Sequence, residues 1–567
     1  MKRQARVWRP DLLALISYVI LSLAYLWPLA RHFGTEMAGD GFDRYVFQWT
    51  NWWVKHSLSR GLSPYHTEVM FYPEGVDLHF LSFSWLNTFV WWPLQAVIGD
   101  LAAYNFTVWW SWPLAGFGAY LLALEVFGDR RGAFIAGLIY AYFPYHFAQR
   151  NHLNLLSLQW IPFSLLFLLR ATREGRWMDG CISGLFFAFS GLSGWHLMTL
   201  SGMLGGIWVL YAWITKGDAW SRRSWRAVAA LIVTVGVITG PFVTPIVREQ
   251  LTGAQSQDPY LGREGETQTD LIAYVIPNLY HPLWGDAAAP FQRRFLRNKD
   301  HAAALGYVPL ALGLYGIWRS RKDQRIRFWA IGLLVFWLLA LGPFPRINGA
   351  PYPSVPLPYR LVGWSFPVRS LRNPERFNIL VALCLALIAG GATEHLLSRL
   401  SNGRRRWTFC ALAAVVLLEY WSWPFPTRPR DVPAGYRVIA SARGQLEIVD
   451  LPISNDLAKR YMAYQTMHER PTVTGHVSRP PADAYAFIES NDLLRSMWQG
   501  RQPDQRGDPE ADFTALAQAG VGYVIIHRDE LTEEALTALR DYAPVPPLHA
   551  DDRLLIYATA INGQPGP

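Results

Sequence analysis

Apolar runs of membrane-spanning length recur along this chain from Asp11 to about Pro424, with short clusters of Lys and Arg between them. Crossing a bilayer takes about 20 predominantly apolar residues. Inside lipid no water is present to satisfy backbone groups, so open runs of this kind must be helical. Charged residues make up 17% of the chain, whereas an ordinary soluble domain carries about 25%. The fold class read from this pattern is a polytopic α-helical membrane protein. Met1 to Pro10 is basic and Asp11 to Ala30 is apolar. That run exceeds the 7 to 15 residues, roughly, of a signal-peptide core, so it reads as a retained first helix with a cytoplasmic N-terminus.

The net charge of +9 is a matter of position. Six clusters hold 22 of the 52 Lys and Arg: the N-terminus, Arg130–Arg131, Arg170–Arg176, Lys216–Arg226, Arg319–Arg327 and Arg399–Arg406. Only Asp129, Glu174, Asp218 and Asp323 accompany them, which leaves 30 basic against 39 acidic groups elsewhere. Short cytoplasmic loops carry such an excess of basic residues, so the charge marks topology and no nucleic-acid partner is expected. Placing every cluster on one side gives about eleven transmembrane helices and an outer C-terminus. The Trp-rich stretch Phe83–Asp100 has no basic cluster beside it and reads as an interfacial helix. Residues 31–101 then form a first outer loop. The protein is expected in the plasma (inner) membrane, among its lipids. Cys181, Cys384 and Cys410 all fall in apolar segments and read as buried, inert thiols.

After Pro424 the composition changes. PFPTRPRDVPAGYR is a Pro-rich linker of the kind found between domains. QLEIVDLPI and DDRLLIYAT read as strands, ADFTALAQAGVGYVIIH as helix, turn and buried strand, and LTEEALTALRDY as an amphipathic helix. The domains are expected at 1–424, a transmembrane domain, and 425–567, a small extracytoplasmic α/β domain.

Polar chemistry gathers in the loops of one face. GDGFDRYVFQW carries Asp40 and Asp43 directly after the first span. ATP and nucleotide sugars are not expected outside the membrane. A transferase there needs a donor that has crossed it, such as a sugar on a polyprenyl phosphate. Inverting transfer requires a carboxylate to take the acceptor proton and cations to stabilise the departing phosphate. Asp40, between Gly39 and Gly41, lies on backbone that a substrate can approach closely. GDG is also an ordinary turn sequence, and Asp43 suits a helix cap.

AQRNHLN places Arg150 and His152 at the outer end of the third span, where ionisable groups mark ligand paths or simple anchoring. Arg346, Arg360, Arg369, Arg372 and Arg376 all lie on the outer side, against the topological trend. Arg369 and Arg372 are favoured for a lipid phosphate because the guanidinium offers a planar fork of donors; pairing with Glu375 is the alternative. The second outer loop, with Asp258, Tyr260, Glu264, Glu266 and Asp270, shows no metal-loop spacing and reads as solvated. His468 and His476 of the tail read as residues that pack or contact the membrane domain rather than catalyse.

This layout, together with the segment FGDRRGAFIAGLIYAYFPYHFAQRNHLN, resembles the GT-C glycosyltransferases. That superfamily includes protein O-mannosyltransferases, aminoarabinose transferases and oligosaccharyltransferases. The resemblance implies that Asp40 matches the first-loop catalytic acid, with Asp43 its near neighbour. Where oligosaccharyltransferases carry a DxD pair this chain has QRNH, which points to the metal-independent, lipid-monophosphate members. No cofactor is required on this reading, and a metal site is left undefined. The expected partners are a polyprenyl-phosphate-linked sugar donor and a lipid, glycan or protein acceptor. The competing class is a non-enzymatic transporter or assembly factor for lipid-linked glycans or cell-envelope polymers. Repeat symmetry and ionisable groups at mid-span, which mark many transporters, are not evident in the sequence.

Overall fold

The computed structural model describes residues 8–217, 220–252, 266–295, 303–365, 368–369, 371–442, 446–481, 483–503 and 507–559. The chain divides into two compact units. One comprises Met1–Gly39, Phe83–Phe242 and Tyr260–Arg428; the other comprises Asp40–Ser82, Val243–Pro259 and Pro429–Pro567.

The first unit is helical, and its helices fall on the apolar runs. Trp8–Tyr25, Trp85–Ile98, Asp100–Trp109, Ser111–Phe127, Arg130–Tyr142, Trp160–Glu174, Trp177–Ser193 and Trp195–Lys216 lead to Arg222–Thr252, whose residues from Val243 onward count with the second unit. Tyr307–Arg319, Gln324–Ala340, Asn378–Ser398 and Asn402–Glu419 complete the set. Among the described residues four stretches combine the length and apolarity of a membrane span: Leu153–Glu174, Trp195–Thr215, Arg222–Glu249 and Pro374–Ser398. Their surroundings differ sharply. Pro374–Ser398 is 78% buried within the protein, whereas Arg222–Glu249 is 11% buried. A helix that is apolar all round and barely covered by protein needs an apolar solvent, which makes this a membrane protein.

Helix contact at the centre of this unit depends on missing side chains. A Cβ on Gly390 would stand 2.8 Å from the carbonyl oxygen of Gly132, and one on Gly132 would collide with the carbonyl of Gly390. Such close backbone approach is how membrane helices gain packing where lipid removes the hydrophobic drive. Two ends of the unit are chemically distinct. At one, Arg170 pairs with Glu125 at 2.7 Å, Arg130 with Asp11 at 3.2 Å, and Arg325 donates to the carbonyl of Val126 at 3.2 Å. At the other lie Gly39, Asn105 and the 149–154 turn, described below. Cys384 is buried, but Cys410 is exposed and Cys181 half-buried. The expectation of three buried thiols is therefore corrected: apolar sequence places a cysteine in lipid or protein without saying which.

In the second unit a four-stranded sheet has Glu447–Leu451 parallel to Val521–His527, then Leu554–Ala558 and His549–Ala550 antiparallel in turn. Pro509–Gln518 and Glu533–Tyr542 are helices. Leu451, Leu494, Leu516, Val521 and Leu536 fill the core on one face of this sheet, while Tyr436, Ile448, Tyr461 and Ile525 form a second cluster. The 40–82 segment packs within the same unit. Trp49, fully buried on the helix Asp43–Ser59, donates to the Gln465 amide oxygen at 2.7 Å from the helix Asn455–His468. Thr472 N–H donates to Val69 O at 3.0 Å, and Tyr72 N–H to Thr472 O at 3.1 Å.

Candidate active site

Asp40 occupies the turn between a short strand, Glu36–Ala38, and the helix Asp43–Ser59. Its side chain is exposed. The turn is fixed from its N-terminal side. Ala38 N–H donates to Asn105 Oδ1 at 2.9 Å, and the Asn105 amide donates to the carbonyls of Phe33 and Glu36 at 2.9 and 2.7 Å. Gly39 N–H donates to Pro426 O at 2.9 Å. Gly39 has φ +91°, a region L-residues rarely adopt. A Cβ there would also collide with the Asn151 amide oxygen and stand 3.3 Å from Arg150 O. Glycine is needed at this position on two independent grounds.

Asp43 has a different fate. It is the first residue of its helix, after Phe42, which makes no side-chain cap bond. Its carboxylate accepts from Lys459 Nζ at 3.0 Å, and Lys459 also pairs with Asp456 at 3.1 Å. Burial pulls the Lys459 ammonium down, but the two carboxylates more than offset it and its pKa is raised. His476 lies in the same neighbourhood. Burial, then the charge of Lys459, push it down to about 4 against the opposing pull of Asp43 and Asp456. Nothing in the sequence announced Lys459 as the partner of a residue more than 400 positions away. His468 packs as expected: it is buried, stacked on Tyr436 at 5.5 Å, and burial pushes it down to about 4.

Within the first unit, Arg150 is almost fully buried. Its Nη2 donates to Tyr280 OH at 2.7 Å, and its guanidinium carbon lies 4.5 Å from the Tyr280 ring and 5.3 Å from that of Phe147. Planar stacking and donation together fix its plane. His152 is half-buried, and its carbonyl accepts from Leu155 and Leu156 N–H, both at 2.9 Å. His146, unremarked in the sequence, is fully buried against Trp112 at 4.3 Å, with ring nitrogens 2.7 Å from Ala141 O and 2.9 Å from Leu156 O. It ties the ends of the turn that carries Arg150.

Arg369 is exposed. Arg372 has φ +60°, which a non-glycine residue holds only when its surroundings enforce it. Its N–H donates to Arg369 O at 3.1 Å, and Arg376 donates to Leu371 O at 2.6 Å. Arg360 is committed to carbonyls, those of Pro343 at 3.0 Å and Pro353 at 2.9 Å. Asp258, Tyr260 and Glu264 lie outside the described residues. Asp270 corrects the expectation of a solvated loop: it is 1% exposed and accepts from Ile272, Asn348 and Gly349 N–H at 2.9, 3.0 and 2.7 Å. Three backbone donors on one carboxylate make it a buried clip between loops.

No family model matches the chain. No curated protein matches it either. Solved structures do. The arabinofuranosyltransferase AftD from Mycobacteria superposes with a TM-score of 0.63 over 99% of this chain at 14% identity. The present chain spans only 40% of the length of that protein. ArnT from Cupriavidus metallidurans, solved bound to undecaprenyl phosphate, gives a TM-score of 0.50 at 12% identity, over 99% of both chains. The chain shares the fold of these two solved membrane transferases.

Proposed function

We propose that the protein is a membrane glycosyltransferase that moves a sugar from a polyprenyl-phosphate donor to an acceptor hydroxyl on the outer face of the membrane, with inversion. The observation that carries this reading is the contrast at the first turn. Asp40 is exposed and follows directly on Gly39, whose N–H is bonded to Pro426 O, while its neighbour Asp43 is paired with Lys459. A general base has to reach a substrate proton and hold its place while doing so. The exposure of Asp40 and the fixed residue before it support Asp40 in that role.

In the proposed step Asp40 takes the acceptor proton as the acceptor oxygen forms its bond to the anomeric carbon. The bond from that carbon to the phosphate oxygen breaks, and polyprenyl phosphate leaves with the electron pair. Arg369 and Arg372 are assigned to the lipid phosphate, whose charge grows as it departs. Arg150 and His152 are assigned to substrate binding, Arg150 as a rigid donor already fixed by Tyr280. The N-terminus is placed in the cytoplasm and the tail outside, and the acceptor is a lipid, glycan or protein.

The test is transfer of radiolabelled sugar from synthetic polyprenyl-phosphate donors in proteoliposomes. Transfer to an added acceptor fraction, with release of polyprenyl phosphate, is the expected result. Movement of intact glycolipid between leaflets without transfer would replace this reading with a transporter.

A further inference from the structure

Between Tyr65 and Phe80 the chain makes a small hairpin, His66–Thr67 against Val76–Asp77, with His66 directly opposite Asp77. It is tightly closed: a Cβ on Gly75, which has φ +69°, would stand 2.8 Å from Thr67 O. His66 Nδ1 lies 2.8 Å from Asp77 Oδ1, which orients that carboxylate. Two residues on, the His79 ring stacks on Tyr65 at 5.5 Å with only 5° between planes, and Leu78 N–H donates to Tyr65 O at 2.8 Å. His79 Nδ1 is buried and has no hydrogen-bond partner among the described residues. The third member is Glu249, in the last turns of the helix Arg222–Thr252. One donor atom from each of Asp77, His79 and Glu249 lies within 4.8 Å of the other two.

We propose that Asp77, His79 and Glu249 bind a divalent zinc-class ion that clamps the hairpin to the end of that helix. The stacked imidazole, with a buried nitrogen that has no hydrogen-bond partner among the described residues, stands beside two carboxylates, a mixed nitrogen and oxygen donor set of the kind zinc takes. Bonds of about 2.1 Å to imidazole nitrogen and carboxylate oxygen are those of zinc. Imidazole in the set disfavours magnesium and calcium, which prefer all-oxygen shells. Asp77 is exposed, so a water completes the coordination. His66 acts through Asp77 as its orienting partner. The inference stands independently of the transfer reaction proposed above, since none of these residues has a part in it.

The experiment uses the full chain in nanodiscs, stripped with chelator and dialysed against zinc chloride, with bound metal measured by mass spectrometry. One equivalent per chain is expected, along with a raised thermal midpoint on zinc addition. E249Q, which keeps shape and removes charge, should weaken binding at least tenfold. H79A should do the same, and H66Q should weaken it by less than either. Folding of each variant is checked by its monodisperse elution. Cobalt substitution gives a second readout, a visible d–d band present in the wild type and lost in E249Q. Substoichiometric zinc in the wild type, or zinc retained with unchanged affinity and stabilisation in both E249Q and H79A, would overturn the proposal.

Discussion

Asp40 and Asp43 stand three positions apart in one loop, yet the fold treats them as different kinds of residue. Asp40 is exposed and follows Gly39, whose N–H is bonded to Pro426 O. Asp43 opens a helix and spends its charge on Lys459, which brings the helix Asn455–His468 with it. Asp43 is tied to the distant tail through Lys459.

The largest expected effect separates the two directly. Asp40→Asn should lower the transfer rate by roughly 10² to 10⁴, the usual worth of a general base. Asp43→Asn should lower it by less than about tenfold and register mainly as lost stability. Equal losses in both would erase the contrast.

Gly39→Ala comes next. It places a Cβ against Asn151 at a φ of +91°, so a cost of about 1 to 3 kcal/mol is expected from strain alone. Thermal unfolding in detergent measures this cost, and activity should fall with it even though Asp40 is intact. A variant as stable and active as wild type would show that the turn is not held as described.

Lys459→Met tests the other side. Lys459 is 11% and Asp43 38% exposed, so solvent screening limits the loss to about 1 kcal/mol. Because the Lys459 pKa is raised, the contribution is fully present below the ordinary lysine value and disappears as pH rises through the raised one. Wild type and variant should therefore converge in stability at strongly alkaline pH.

The smallest effect is a slope. His468 and His476 are both pushed down to about 4, from an ordinary value near 6.5. The unfolded chain binds more protons in that window, so stability rises with pH across it and falls as pH drops from about 6.5 to 4. His476→Gln should flatten the stability profile between those values and leave it unchanged above them. An unaltered slope would mean that His476 is already charged in the folded protein.

Much of this fold was legible in the sequence because membrane helices announce themselves. Asp11–Ala30 falls on the helices Trp8–Tyr25 and Trp27–Arg31, and Phe83–Asp100 on Trp85–Ile98; Arg130 and Arg170 each pair with an acid, Asp11 and Glu125, at one end of their unit. The tail strands at Glu447–Leu451, Val521–His527 and Leu554–Ala558 were equally plain from short β-branched runs. What sequence could not supply was pairing at a distance. Lys459 for Asp43 and Gln465 for Trp49 join positions more than 400 residues apart, and no local pattern encodes them. Asp270 shows the opposite error: an acidic loop composition suggested solvent, but the carboxylate turned inward to satisfy three backbone donors.

One measurement bears most directly on Asp40: donor affinity and single-turnover transfer rate determined on the same folded Asp40→Asn sample. The account predicts affinity for the polyprenyl-phosphate sugar within about threefold of wild type, with transfer slowed at least a hundredfold. A transfer rate close to wild type, or a loss explained wholly by weaker donor binding, would contradict the role of Asp40 as the base.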